Sequence, residues 1–275
     1  MLTTNRIMSC FDIKELDLSP LCHDYELEIR DMNELIELIS LLVLGHCRHV
    51  SRIIRGLDSN YPNIDNLTIN DALGELTYET IIEENSRKVK MEKIHGWLFQ
   101  MISWIALAEL NGNRSGFHQF TPHSQPSMHG LDGIAVTLNK DKCIDRIIIT
   151  EDKCTQSDRD TIREKVFPEF SYMESGVKNN AILQHVSLLI TDEDIYTNIQ
   201  NDIVRPEIRQ YRIGITRQAV HNSVKKRKDL FKDYDKYVTG DDNLRRTASS
   251  ICFDDVRNSM EQIRHMVIDC IKRKV

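Results

Sequence analysis

The chain has 275 residues, enough to bury a sizeable core as one large domain or as a catalytic domain with extensions. Its 40% hydrophobic and 28% charged residues exclude a wholly disordered polymer, and no stretch approaches the roughly 18 to 20 apolar residues of a membrane span. The net charge of −6 argues against a protein that grips nucleic acid by itself through a broad basic surface.

That charge is uneven. Residues 201–275 carry 17 Lys+Arg against 11 Asp+Glu, whereas residues 1–200 carry 19 against 31, so a surface facing nucleic acid is expected in the C-terminal part or on a partner. The opening Met-Leu-Thr-Thr-Asn-Arg lacks a basic segment leading into an apolar run. Seven cysteines, an odd number with no CxxC pair, indicate neither a disulfide framework nor a thiolate zinc site. A reducing, cytoplasmic setting is the expectation.

Along the chain, residues 24–56 read as helical, with Asp31 as an N-cap and Leu35, Ile36, Ile39, Leu42 and Val43 at helical spacing. Turn formers over 56–65 mark a loop, and a second polar stretch covers 83–93. Residues 92–110 form a strong helix whose apolar positions cover more than one face, interrupted by His95, Gln100 and Ser103. Asn111 to Gly116 ends it. Residues 134–138 and 144–153 then read as the two strands of a β-hairpin joined by a turn at 139–142.

A helix is expected from Ser157 or Asp158 as N-cap to Glu164 or beyond. Residues 181–190 fit a helix or, in their second half, a strand. Residues 211–216 read as a strand, 219–235 as a basic helix containing Lys225-Lys226-Arg227-Lys228, and 254–274 as a final helix.

The chemistry concentrates in the hairpin. Side chains alternate along a strand, so Ile147, Ile149, Glu151 and Lys153 share one face while Asp152 points the other way. An acid and a base thus stand where an apolar strand leaves the core. Asp132, between Gly130-Leu131 and Gly133, opens the partner strand and can be brought beside Glu151. Two close carboxylates call for a divalent cation or a raised pKa on one of them, and hard oxygen donors favour Mg²⁺ or Mn²⁺. Lys153 would orient a water or neutralise charge building on phosphorus. The plain alternative is a salt-bridged pair at a strand end.

In these residues the chain resembles the PD-(D/E)xK nuclease superfamily, whose shared core is a helix, a three-stranded meander carrying the acidic and Glu-x-Lys residues, another helix and a fourth strand. The resemblance spans roughly residues 90–217, with Leu131 where the family motif has proline. It implies an α/β fold with a restriction-endonuclease-like core over 91–217, a mixed sheet with a β-meander flanked by helices. A helical extension over 1–90 and a basic helical region over 218–275 would flank that core as one compact unit. It implies a Mg²⁺-dependent DNA nuclease in which Asp132 and Glu151 bind the metal, the Asp152 carbonyl is a further ligand, and Lys153 positions the nucleophilic water. Glu92 is the residue that could match the glutamate that many members add from the first helix, although Glu109 lies on the same helix.

Within the superfamily the layout is most like the small nuclease subunits of bacterial antiphage defence, particularly the Hachiman type, which pairs such a protein with a helicase. That resemblance implies a helicase partner able to deliver DNA. A reading from another class is a non-catalytic interaction or DNA-binding subunit on the same fold.

Other candidates have ordinary explanations beside functional ones. His46-Cys47-Arg48-His49 resembles a fragment of a metal site without a second ligand pair. His95 fits the edge of a core. His118, His123 and His129 cluster before Asp132 and can approach a phosphate or decorate a loop. Gln184 and His185 have no assigned role. Lys225, Lys226, Arg227 and Lys228 are candidate contacts to a DNA backbone, or one solvated helix face paired with Asp229, Asp233 and Asp235. Cys154 adjoins the site but has no evident base partner.

Overall fold

The computed structural model describes residues 9–57, 62–112, 116–126, 128, 130–190, 205–240 and 243–274. Strands β1 (Phe11–Asp17) and β2 (His23–Ile29) precede helices α1 (Met32–Val43), α2 (Cys47–Ile54), α3 (Asn66–Glu75) and α4 (Glu84–Asn111). Next come β3 (Phe117–Gln119), β4 (Gly133–Leu138) and β5 (Ile144–Lys153), then α5 (Asp158–Thr161), a π-helical turn (Ile162–Val166), α6 (Phe167–Glu174) and α7 (Asn179–Leu189). Strand β6 (Arg209–Arg217), α8 (Val224–Leu230), α9 (Tyr234–Tyr237), β7 (Arg246–Cys252) and α10 (Val256–Lys272) complete the order.

The strands make one mixed sheet in the order β1-β2-β7-β6-β5-β4-β3. Strands β2, β7, β6 and β5 run parallel to their neighbours, and the antiparallel pairs lie at the two sides, β1 on β2 and β3-β4-β5 as a meander. Helices cover both faces. On one, Leu35, Trp97, Ile102, Ile105, Ile263 and Val267 from α1, α4 and α10 form a core that includes Ile251 of β7. On the other, Ile147, Ile149, Ile213 and Ile215 meet Phe167, Phe170 and Val186 from α6 and α7. The β5-to-β6 crossover through helices is what a parallel pair requires.

The expected hairpin is β4 and β5, paired from Gly133↔Thr150 to Leu138↔Ile144, and the strand expected at 211–216 is β6. Asp31 does cap α1, accepting from the Glu34 N–H. The stretch at 181–190 is helical, as α7. The π-helical turn follows α5 without a break, which carries the helix expected from Ser157 through α6.

Three expectations are corrected. Residues 23–29 are a strand and not the start of the 24–56 helix, because β2 pairs along its whole length with β1 and over residues 23–27 with β7. The segments on either side of 91–217 are not purely helical: β1, β2 and β7 extend the same sheet, and the boundary at residue 90 falls inside α4. The polar stretch 83–93 belongs to that helix, whose N-cap is Glu83, accepting from Asn85 and Ser86. Third, the 219–235 helix is broken. A 3₁₀ turn (Ala219–His221), α8 and α9 share that span, with Asp233 at φ +74° before α9.

No helix among the described residues is long and apolar enough to cross a membrane. All seven cysteines are free.

Candidate active site

Parallel strands bring their carboxyl ends to one edge of the sheet, and the charged end of β5 emerges there beside the start of β4. The loop into β4 turns at Gly130, whose φ of +147° is open to glycine and strained for other residues. Asp132 follows and faces the end of β5. The Lys153 ammonium donates to Asp132 Oδ2 at 2.7 Å and to Glu151 Oε2 at 2.8 Å, so one cation spans two carboxylates. Asp132 is fixed from two further sides. Its Oδ2 accepts the Asp152 backbone N–H at 3.0 Å, and its Oδ1 accepts from Gln100 Nε2 of α4 at 2.8 Å.

Strand alternation holds as expected: Glu151 and Lys153 share the Asp132 side, and Asp152 turns to the α4 face. There Asp152 accepts from Ser103 Oγ, with Arg212 of β6 3.7 Å away. Arg212 is itself buried and donates to Ser103 Oγ at 2.8 Å and to Ser249 Oγ at 3.0 Å. Four elements are therefore tied together directly under the site. Gly214 of β6 makes room for this network, since a Cβ there would overlap Asp152 Oδ1 and lie 2.6 Å from Ser103 Oγ.

Burial sets the electrostatics. Loss of solvent, with Asp132 alongside, pushes the Glu151 carboxyl up to about 8, against the pull of Lys153. Burial likewise pushes Asp152 up to about 6, partly opposed by Arg212. Burial alone would lower Lys153, yet the Glu151 and Asp132 carboxylates more than offset it and hold the ammonium above its usual range. The Lys153 side chain keeps 25% of its surface and Glu151 only 7%, so a ligand meets the lysine first.

The structure thus brings Asp132, Glu151 and Lys153 together, with the Asp152 backbone beside them. It does not bring Glu92 there: that carboxylate pairs with Arg257 of α10 at 3.1 Å, and Gln100, two turns further along α4, is the residue that reaches Asp132. Glu109 is also occupied elsewhere, accepting the Cys10 N–H at 2.6 Å. Gln100, Ser103 and Arg212 are the contributors missed in the sequence. Their signal was present, as polar interruptions of an apolar helix and an arginine inside a strand.

Arg227 is corrected outright as a DNA contact. Its side chain is 0% exposed, ion-paired with Asp24 and within 3.3 Å of Glu26, and it donates to Ser250 Oγ. A guanidinium so enclosed cannot meet a phosphate. Lys225 and Lys226 are exposed, and Lys228 donates to the Ser19 carbonyl.

Of the histidines, His95 is buried on α4 against Glu261 at 3.0 Å. His118 lies in β3, and His123 contacts the Leu131 carbonyl at 3.1 Å. His185 packs edge-on to Phe120, and Gln184 lies beside it on α7. His129 lies outside the described residues. His46, Cys47, Arg48 and His49 line a cavity of about 590 Å³. Burial pushes the Cys154 thiol up to about 12, which removes it as a thiolate.

Among the described residues, no group of three or more His, Cys, Asp or Glu side chains is arranged to hold a metal. The donor set here is two carboxylates. No family model matches the chain, and neither a curated protein nor a solved structure matches it.

Proposed function

We propose that this protein is a metal-dependent nuclease of the PD-(D/E)xK type that hydrolyses DNA phosphodiester bonds. The observation that carries the reading is the Lys153 ammonium held between the Asp132 and Glu151 carboxylates at the open end of β5. The element order supports it too: a helix (α4), a three-stranded meander, further helices and a strand parallel to β5 follow one another. A restriction-endonuclease-like core over 91–217 is part of the same proposal.

The residues fit a hard divalent cation. Mg²⁺ is commonly held by one or two carboxylates, with waters and substrate phosphate completing its shell, so two acids suffice without a third side chain. Asp132 and Glu151 would be those ligands, joined by the Asp152 carbonyl. When bound, Mg²⁺ or Mn²⁺ supplies Lewis-acid polarisation of a phosphate oxygen and acidifies a water. Gln100 and the Asp152 N–H keep Asp132 oriented. Glu151 must release its proton to serve as a ligand. Lys153, which stands between those two carboxylates, would be placed to orient the attacking water or to offset the charge growing on the phosphate.

The acidic balance of residues 1–200 supports delivery of DNA by a partner, and a helicase in an antiphage defence complex in the cytoplasm is the partner we assign. One observation favours the competing account of a non-catalytic interaction or DNA-binding subunit: Lys153 already balances the buried charge within the chain. Cleavage decides between them. With Mg²⁺ or Mn²⁺ the wild type should cut DNA, and Glu151→Ala and Lys153→Ala should abolish cutting while remaining folded. Unchanged cleavage by both variants would overturn the nuclease reading, and the absence of both cleavage and a metal-induced thermal shift would favour the interaction subunit.

A further inference from the structure

Helix α4 runs antiparallel to β5, with Leu107 packed in one cluster with Ile148 and Ser103 bonded to Asp152. Its N-terminal half therefore continues past the carboxyl edge on which the triad stands. From Gln100 back to Glu84 is about 24 Å at the helical rise of about 1.5 Å per residue. The orientation of this projecting half is fixed by its contacts. Trp97 and Trp104 both donate to the loop after β3, at the His123 and Phe120 carbonyls, each at 2.7 Å. Glu92 is tied to Arg257 of α10.

Between those two anchored sides lies a strip about 60° wide, at about 100° per residue, that contains Lys93, Gly96 and Gln100 and, further out, the exposed Val89. Gln100 ends it at Asp132, and Lys93 lies two turns out, about 10 Å along the axis, and is exposed. Gly96 is the unexpected member. Glycine is a poor choice in the middle of a long helix, yet among the described residues, the helix's own backbone aside, no atom lies within 4 Å of where its Cβ would be. No described residue packs against that point. Gly74, also within a helix, has equal room two residues before the C-cap of α3, so the open space at Gly96 takes its meaning from its place between Lys93 and Gln100.

We infer that the Lys93–Gly96–Gln100 strip of α4 is a track for the phosphodiester backbone of the substrate, with Lys93 neutralising a phosphate and Gly96 letting the sugar-phosphate chain lie against the helix on its way to Asp132. The inference rests on the nuclease reading and names the surface that reading lacks.

The test uses the full chain with a labelled DNA oligonucleotide, by anisotropy in EDTA for binding and by cleavage in Mg²⁺ for KM and kcat. Lys93→Gln should weaken binding about 3- to 10-fold and reduce the salt slope by about one phosphate contact. Lys88→Gln removes the same charge about 140° around the helix and should do neither. Gly96→Ala should raise Tm by about 1–3 °C and raise KM several-fold with kcat little changed.

The track is overturned if Lys93→Gln and Lys88→Gln behave alike, or if Gly96→Ala stabilises without changing KM. Should the wild type bind DNA but cut nothing, the nuclease reading falls alone, and the binding comparison still decides the track. A wild type that neither binds nor cuts DNA overturns both.

Discussion

Replacing Glu151 with glutamine should change how stability depends on pH. The Glu151 carboxyl stands at about 8 in the folded protein, up from 4.5, because it is buried beside Asp132. Between those values the folded state holds a proton that the unfolded state has lost. Stability gained from that proton is complete below about pH 4.5 and is lost as pH rises through about 8. The slope is about −1.4 kcal/mol per pH unit for one proton. Over about 1.5 pH units near neutrality the wild type should lose about 2 kcal/mol relative to Glu151→Gln, whose amide keeps the shape and carries no charge. Asp152, pushed up to about 6, titrates in both proteins, so its contribution cancels in the difference. Urea unfolding of the two proteins at a series of pH values, without divalent ions, reads this directly. Parallel curves would refute the reasoning, since they would mean that Lys153 keeps both carboxylates ionised. Asp132→Asn removes the neighbouring negative charge that helps raise Glu151 and should make the slope shallower, while burial keeps part of it.

Two further outcomes test the frame around the site. Gly214→Ala puts a methyl where Asp152 and Ser103 already meet, and should cost about 1–3 kcal/mol or more in urea unfolding together with most of the activity; an unchanged midpoint would remove Gly214 from the account. Arg227→Ala strands the fully buried Asp24 and should cost about 3–5 kcal/mol, whereas Lys225→Ala and Lys226→Ala should each stay within about 0.5 kcal/mol. A normally stable Arg227→Ala that had lost only DNA affinity would restore Arg227 as a phosphate contact.

The hairpin and its charged end were legible because every signal there is local. An apolar strand that ends in Glu-x-Lys, a turn, and Asp132 flanked by glycines each declare themselves within ten residues or so, and alternation assigns their faces. Strand β7 carries no such signal. Its ladder with β2 joins His23 to Thr247 and Leu27 to Ile251, across most of the chain, whereas β2 also has a local partner in β1, from Phe11↔Ile29 to Asp17↔His23, and an alternating Tyr25, Leu27 and Ile29 that outweigh the helical expectation there. Strand β7 is also made of Arg-Thr-Ala-Ser-Ser-Ile-Cys, which has no alternating apolar pattern, although the strand is buried in the middle of the sheet. Its hydroxyls are satisfied by side chains that only the fold supplies: Ser249 by Arg212, Ser250 by Arg227, and Thr247 by Gln210 at 3.1 Å. A central strand built on arginine–serine hydrogen bonds gives hydrophobic periodicity nothing to detect.

The same bonds explain why polar residues in apolar elements were the most informative unused signal. His95, Gln100 and Ser103 interrupt α4, and each proves to be the helix side of a polar link, to Glu261, Asp132 and Asp152 respectively. A buried polar group without a partner costs about 1–3 kcal/mol, so the buried His95 and Ser103 require partners elsewhere, and the half-buried Gln100 gains from one. Two of those partners are the acids on either side of the hairpin. Arg212, between Tyr211 and Ile213 in a buried strand, demanded an acid in the same way, and Asp152 is the one beside it. Had the interruptions been treated as half-contacts, they would have pointed from α4 to Asp132 and Asp152. They would also have favoured Gln100 over Glu92 as the helix residue at the site, because Glu92 sits on the partly exposed stretch where a charge needs no buried partner.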